Sequence, residues 1–342
     1  MRMALLSLLL IASPLLAAPS PSTPVLETPL AGAPPTEAPQ IQEWPVPWAD
    51  TRPRDPDVDN HDHVWFVGQR GNYLGRFSPS TREFERIDLP PGTAPHNLIV
   101  HDGRIWFAGN GAAYIGRYDP LTGQIDRFPM PDPAAADPHT LVTDDRGNLW
   151  FTVQGGNFIG RLDLLTEQIT LLPVPTRGAR PYGIVVDGRG RPWFTEFGSH
   201  RLGSIDPASM TLHEHELPRA QTRPRRLTAS GDHIWYVDFA EGYLGRYSPA
   251  TGKTREWRVP GGERAQPYAM TIDGEGRLWF VETGMQPNRL VGFDPAREHF
   301  YPPVPLPSGG GSVRHMIYDA ERDVLWFGTD ADTLARVQLP AD

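Results

Sequence analysis

No cysteine occurs among the 342 residues. That absence excludes both a disulfide-stapled scaffold and a lipid-anchored lipoprotein, and leaves packing alone to hold the chain together. A surplus of positive charge is also missing. Lys and Arg total 32 against 41 Asp and Glu, a formal charge of -9. Such a surface repels phosphate backbones, so no nucleic-acid partner is expected. Long helices have little room, because 38 prolines punctuate the chain. With 39% hydrophobic and 21% charged residues, the chain reads as neither collagen, coiled coil nor wholesale disorder.

Only one long apolar run is present, at the start. Arg2 is followed by an apolar stretch from Met3 to Leu16 and then by the small pair Ala17-Ala18. Residues 1–18 read as an export signal, too short to cross a bilayer comfortably, and no second apolar run follows. The expectation is a periplasmic or secreted protein with no membrane span once the signal is removed. Residues 19–40, rich in Pro, Ser, Thr and Ala, read as an extended linker.

Internal periodicity decides the architecture. Trp-Phe or Trp-Tyr begins at Trp65, Trp106, Trp150, Trp193, Trp235, Trp279 and Trp326, spaced by 41, 44, 43, 42, 44 and 47 residues. That is the period of a four-stranded propeller blade. Before each Trp comes a segment such as Pro138-His139-Thr140-Leu141 or Pro181-Tyr182-Gly183-Ile184. After it comes a strand such as Leu74-Gly75-Arg76 or Ile115-Gly116-Arg117, then a turn and a strand ending in Pro. The seventh unit stops at Leu339-Pro340, one outer strand short, while Ile41 to Pro47 forms an orphan outer strand at the other end. Pairing the two would close the ring. The predicted fold is all-β: a monomeric seven-bladed propeller over residues 41–340, with four antiparallel strands per blade.

The repeated Trp, Gly and Asp-Pro residues read as scaffold, which leaves function to positions where the copies differ. The loop entering each inner strand and the loop leaving each Trp strand should share one face, around the mouth of the central channel. The first loop contributes Arg54, His96, His139, Tyr182, Arg225, Tyr268 and His315. The second, three and four residues after each Trp, includes Gln69, Asn110, Gln154, Glu196, Asp238, Glu282 and Asp330. Concave mouths with convergent polar groups favour small-molecule ligands. Blades one to three, with Arg54, His96, Asn97 and His139, are expected to favour acceptors. Blades four to six, with Glu196, Asp238 and Glu282, are expected to favour cations, including a hard metal ion. His61-Asp62-His63 reads as a polar turn, His213-Glu214-His215-Glu216 as a solvated outer strand, and Gly309-Gly310-Gly311 as a flexible connection.

The pattern from Arg180 to Ser204, with Pro-Tyr-Gly-Ile, an Asp-Gly turn, Trp-Phe-Thr-Glu and a Gly-containing strand, resembles the virginiamycin B lyase (streptogramin lyase) family of seven-bladed propellers. The resemblance covers nearly all of the chain after the linker. It implies elimination at the ester linkage of a cyclic depsipeptide, using a histidine base and Mg²⁺ or another divalent cation. Carried over residue by residue, the base is His315. The family's acidic residue after the last Trp is Asp330, a catalytic candidate that could orient the His315 imidazole or, with Glu282, hold a cation. The family's Glu-Pro-His becomes Val313-Arg314-His315 here, its Pro-His in the preceding blade becomes Pro267-Tyr268, and its first-blade Pro-Tyr becomes Pro53-Arg54. Arg54 or Arg314 could then stabilise a developing oxyanion. A lactone hydrolase and a non-catalytic exported binding propeller are the competing expectations.

Overall fold

The computed structural model describes residues 37–340; the expected export signal and all but the last few residues of the linker lie outside them. Seven sheets, each built round an antiparallel four-stranded core, follow one another in chain order, and the regular elements are strands except for two single-turn 3-10 helices. In the first blade the strands are Pro53–Val58, Val64–Gly68, Tyr73–Ser78 and Glu83–Asp88, paired in that order. The seventh blade is completed from the other end of the chain. Strand Gln40–Pro45 pairs with Thr333–Gln338, Gln40 opposite Gln338 and Pro45 opposite Thr333. The predicted closure is therefore present, and it removes the sheet edge at the seam.

Each blade is held by its Trp strand. All seven repeat tryptophans are buried, in clusters that join one blade to the next. In four blades the indole N–H donates to the aspartate of the preceding turn, six residues back, as from Trp150 to Asp144 at 2.7 Å. The Asp144 carboxylate also accepts from the backbone N–H groups of Arg146 and Asn148, so one side chain shapes the turn and anchors the ring. The strand glycine faces the aromatic residue after the Trp. A Cβ on Gly160 would lie 2.1 Å from the Phe151 ring, so nothing larger fits. Beside it, the arginine of the Gly-Arg pair stacks on the Trp, Arg117 over Trp106 at 5.3 Å for example.

The sixth blade departs from the pattern. Its outer strand is split into His299–Phe300 and Val304–Pro305, both paired with Arg289–Asp294. Pro302 and Pro303 fall between the halves and have no N–H for the ladder.

The mouth is built by two loops that bind each other. The backbone N–H four residues after the Trp donates to the carbonyl just before the inner-strand proline: Gln69 to Arg52 at 3.3 Å, Phe197 to Arg180 at 3.3 Å, Phe239 to Arg223 at 3.1 Å and Thr283 to Gln266 at 3.3 Å. Both loops lie on one face, as the strand order requires. Next to them, a register shift in the inner strands of five blades, such as that between Pro138 and Leu141, turns two residues out of regular pairing in four blades and one, Arg225, in the fifth.

Candidate active site at the channel mouth

Strand register sorts the mouth residues into two rings. Leu98, Leu141, Ile184, Leu227, Met270 and Met316 each pair with the aromatic residue after the Trp. Counting back from them puts Arg54, His96, His139, Tyr182, Arg225, Tyr268 and Arg314 in one ring. Asp55, Asn97, Thr140, Gly183, Arg226, Ala269 and His315 form the other. His315 therefore moves one place from its expected column, and Val313 stands where other blades have proline. The Asp330 N–H, 3.1 Å from the Ser312 carbonyl, matches the loop contact of the other blades and fixes that register.

The second ring meets across the axis. The Asp55 carboxylate accepts from Arg54 Nε at 2.9 Å, Asn97 Nδ2 at 3.1 Å and Arg226 Nη2 at 3.3 Å, contacts that join blades one, two and five. Burial works against the charge on Asp55, but Arg54 and Arg226 outweigh it and hold the carboxyl well below its ordinary range. Arg226 also donates from Nη1 to Thr140 Oγ1 at 3.2 Å and from Nε to the Arg314 carbonyl at 2.9 Å. One guanidinium thus ties blade five to blades one, three and seven. Asp55, Thr140 and Arg226 were not singled out in the sequence. Their signal was an acid, a hydroxyl and an arginine in a column otherwise holding Gly, Ala, Asn and His.

Three histidines converge near this pair. His96 and His139 have ring centroids 3.5 Å apart, and His139 lies 4.2 Å from Tyr182. Thr140 Oγ1 accepts from Arg226 Nη1 and shares a hydrogen bond with His139 Nδ1 at 2.8 Å. In the tautomer where that nitrogen accepts, the His139 hydrogen lies on Nε2. Burial first, and the neighbouring arginines second, push all three histidines below the ordinary imidazole range, His315 down to about 3. Each is a neutral ring at pH 7.

Blades four to six hold rings where carboxylates were expected. The Tyr182 and Tyr268 hydroxyls touch each other, and the Arg225 guanidinium lies 3.8 Å from the Tyr268 centroid, 4.2 Å from Phe239 and 4.6 Å from Phe197. The three carboxylates themselves are turned into the fold and fully buried. Asp238 accepts from Arg223 N at 2.9 Å and Arg219 Nη2 at 2.7 Å, and Glu282 from Gly261 N at 2.6 Å and Arg289 Nε at 3.0 Å. Glu196 accepts from Ser199 Oγ at 2.7 Å; burial, reinforced by Glu214, pushes its carboxyl up to about 7. Their expected role at the mouth is corrected accordingly. Side chains alternate along a strand, so the third residue after the Trp shares the sheet face of the aromatic residue that follows the Trp and is buried between blades.

Asp330 is likewise engaged. Both its oxygens receive Arg314, which takes it from the expected pairing with His315. A hard cation needs several free oxygen ligands. Glu282 and Asp330 are each held by a guanidinium, five arginines (Arg52, Arg54, Arg225, Arg226 and Arg314) face only Asp55 and Asp330, and no group of three His, Asp or Glu able to hold a metal ion occurs among the described residues. The residues present do not fit the divalent cation that the resemblance implies.

Two features outside the mouth also settle. His63 caps a turn on Asp59 at 3.1 Å, as expected. His215, by contrast, packs against Trp193 at 4.9 Å between Ser204 Oγ and Tyr247 OH, so its strand is more than a solvated face.

Seven blades surround a mouth lined with buried arginine, histidine and tyrosine, and together they define a seven-bladed propeller. The virginiamycin B lyase family model matches residues 35–232, and the chain belongs to that family. Among solved structures, virginiamycin B lyase from Staphylococcus aureus is 25% identical, with a TM-score of 0.80, over 88% of this chain and all of its own. A catalytically inactive form of that enzyme with quinupristin is 24% identical at TM-score 0.80, over 88% of this chain and 100% of that one. A streptogramin B lyase is 24% identical at 0.79, over 87% of this chain and 97% of that one. No curated protein sequence matches significantly.

Proposed function

We propose that the chain is an exported carbon–oxygen lyase that opens an ester or lactone at the channel mouth, with His315 as the base. The observation that carries this reading is the state of His315. It is a neutral imidazole in the axial ring, its Nδ1 is buried without a partner, and burial, then Arg226 and Arg54 beside it, depress its proton affinity. In an elimination, the base removes a proton from carbon, a carbon–carbon double bond forms, the carbon–oxygen bond breaks and the carboxylate leaves. Arginines already in place favour the negative charge that develops on the enolate and on the leaving oxygen, and they need no reorganisation.

The test is mass spectrometry of the full mature chain incubated with quinupristin and a panel of simple lactones. Ring opening at unchanged mass supports elimination. A gain of one water indicates a lactone hydrolase, and no product with any substrate overturns the catalytic reading. One observation favours a second reading, a binding propeller without turnover. Burial, with the same arginines adding to it, makes His315 a weak base. That reading expects ligands to raise the melting temperature while remaining intact.

A further inference from the structure

We propose that the outer ring of the mouth contains an anion subsite, built on Arg54, His139 and Arg225, for a carboxylate carried on an apolar or aromatic group. This inference gives the lyase reading a substrate class, and its binding component stands without turnover.

Three donors carry the argument. Arg54 spends Nε on Asp55 and Nη1 on Gln69 at 3.1 Å, which leaves its buried Nη2 with no partner. His139 spends Nδ1 on Thr140, and its Nε2 too is buried and unpartnered; with Nδ1 accepting, Nε2 is a donor. Both side chains are more than nine-tenths buried, at 3% and 1% exposure. Arg225 has an unpartnered Nε as well, and aromatic rings hold its guanidinium in place. Buried donors are normally matched by acceptors, so three unmatched ones around a single mouth call for an anionic oxygen.

The carrier follows from what surrounds Arg225. Phe197 and Phe239 are half-buried and meet edge to face at 5.9 Å, and both rings contact its guanidinium. An apolar group seated on these rings would bring its carboxylate to the arginine. Inorganic phosphate has the charge but no such group. Elimination from an ester releases a carboxylate, and this subsite would receive it.

The mouth also contains a reporter. Tyr182 faces Arg225, Arg54, Arg226, His139 and Tyr268. Burial alone would raise its phenol, but the three arginines outweigh burial and lower it. A bound anion cancels part of that positive charge, so the Tyr182 phenol should take up a proton when the subsite fills.

The experiment uses the full mature chain with benzoate, benzamide and inorganic phosphate at matched ionic strength. Benzoate is expected to raise the melting temperature by roughly 2–4 °C at concentrations well above its Kd, with benzamide and phosphate giving less than half of that. At a pH just below the ordinary tyrosine range, benzoate should also diminish the 295 nm tyrosinate band, an effect absent in Tyr182→Phe. Arg225→Gln should lose the thermal shift relative to its own unliganded baseline, and His139→Asn should weaken benzoate about tenfold. If Arg225→Gln does not fold, the wild-type contrast of benzoate with benzamide together with the 295 nm change decides. Equal shifts from benzoate and benzamide, a dominant phosphate effect, or a folded Arg225→Gln with the full benzoate shift would overturn the subsite. None of these outcomes bears on whether lactones are opened, so failure here is separable from failure of the lyase reading.

Discussion

Within the third blade, two aromatic nitrogens eleven residues apart have opposite fates. Trp150 Nε1 meets Asp144 at 2.7 Å in a contact supplied by its own turn, whereas His139 Nε2 is buried and meets nothing. The contrast extends over the molecule. In four blades the scaffold indole is matched locally by a residue that recurs with the repeat, although Trp326 Nε1 in the seventh is buried without a partner. At the mouth, Arg52, Arg54, His96, His139, Arg225 and His315 each retain a buried nitrogen without a hydrogen bond, six of the eleven such polar atoms found among the described residues, Arg52 Nε having only the Asp330 carboxylate at 3.7 Å. Matched groups stabilise; unmatched groups await a ligand and reduce stability until one arrives.

The sharpest break in this comparison is at the scaffold. Trp279→Ala removes a buried ring from the cluster joining blades six and seven and should cost about 3–5 kcal/mol in denaturant unfolding. Arg226→Gln should cost somewhat less, about 2–4 kcal/mol, because Asp55 loses one cation and keeps Arg54; adding Asp55→Asn should restore part of the loss in a double-mutant cycle.

Glu196 sharpens the comparison with pH. Its folded carboxyl titrates at about 7, above the roughly 4.3 of an unfolded glutamate. Between those values the unfolded chain has released the proton while the folded chain still holds it. This group therefore makes stability fall as pH rises from about 4 to 7 and leaves it lower above 7. Glu196→Gln should flatten that slope and gain about 2 kcal/mol at pH 8, measured by urea unfolding across the range. The smallest effect on stability is expected at the mouth itself: His139→Asn should change unfolding by less than about 1 kcal/mol, since it removes no matched contact other than that with Thr140.

Much of this was legible in the sequence. The Trp spacing gave seven blades, and the short seventh unit with the orphan Ile41 to Pro47 gave the closure now seen in the pairing with Thr333–Gln338. The mouth face followed from strand order, and the backbone bonds between its loops bear that out. Other features needed coordinates. Val313 replaces the proline that marks the column elsewhere, so His315 and Arg314 were exchanged. Asp238 and Glu282 sit in mouth loops, but Glu282 is taken up by Arg289, its cross-strand partner, and Asp238 by Arg219 from the loop before its blade. The Asp55–Arg226 pair joins residues 171 apart, and only ring closure brings them together.

The measurement that tests the account most directly is product formation by wild type and His315→Ala on whichever ester the mass screen identifies, with both proteins equally folded by circular dichroism. The account predicts ring opening at constant mass by wild type and a loss of at least about a hundredfold in the variant, as expected for removal of a positioned base. Equal turnover by the two proteins would contradict it.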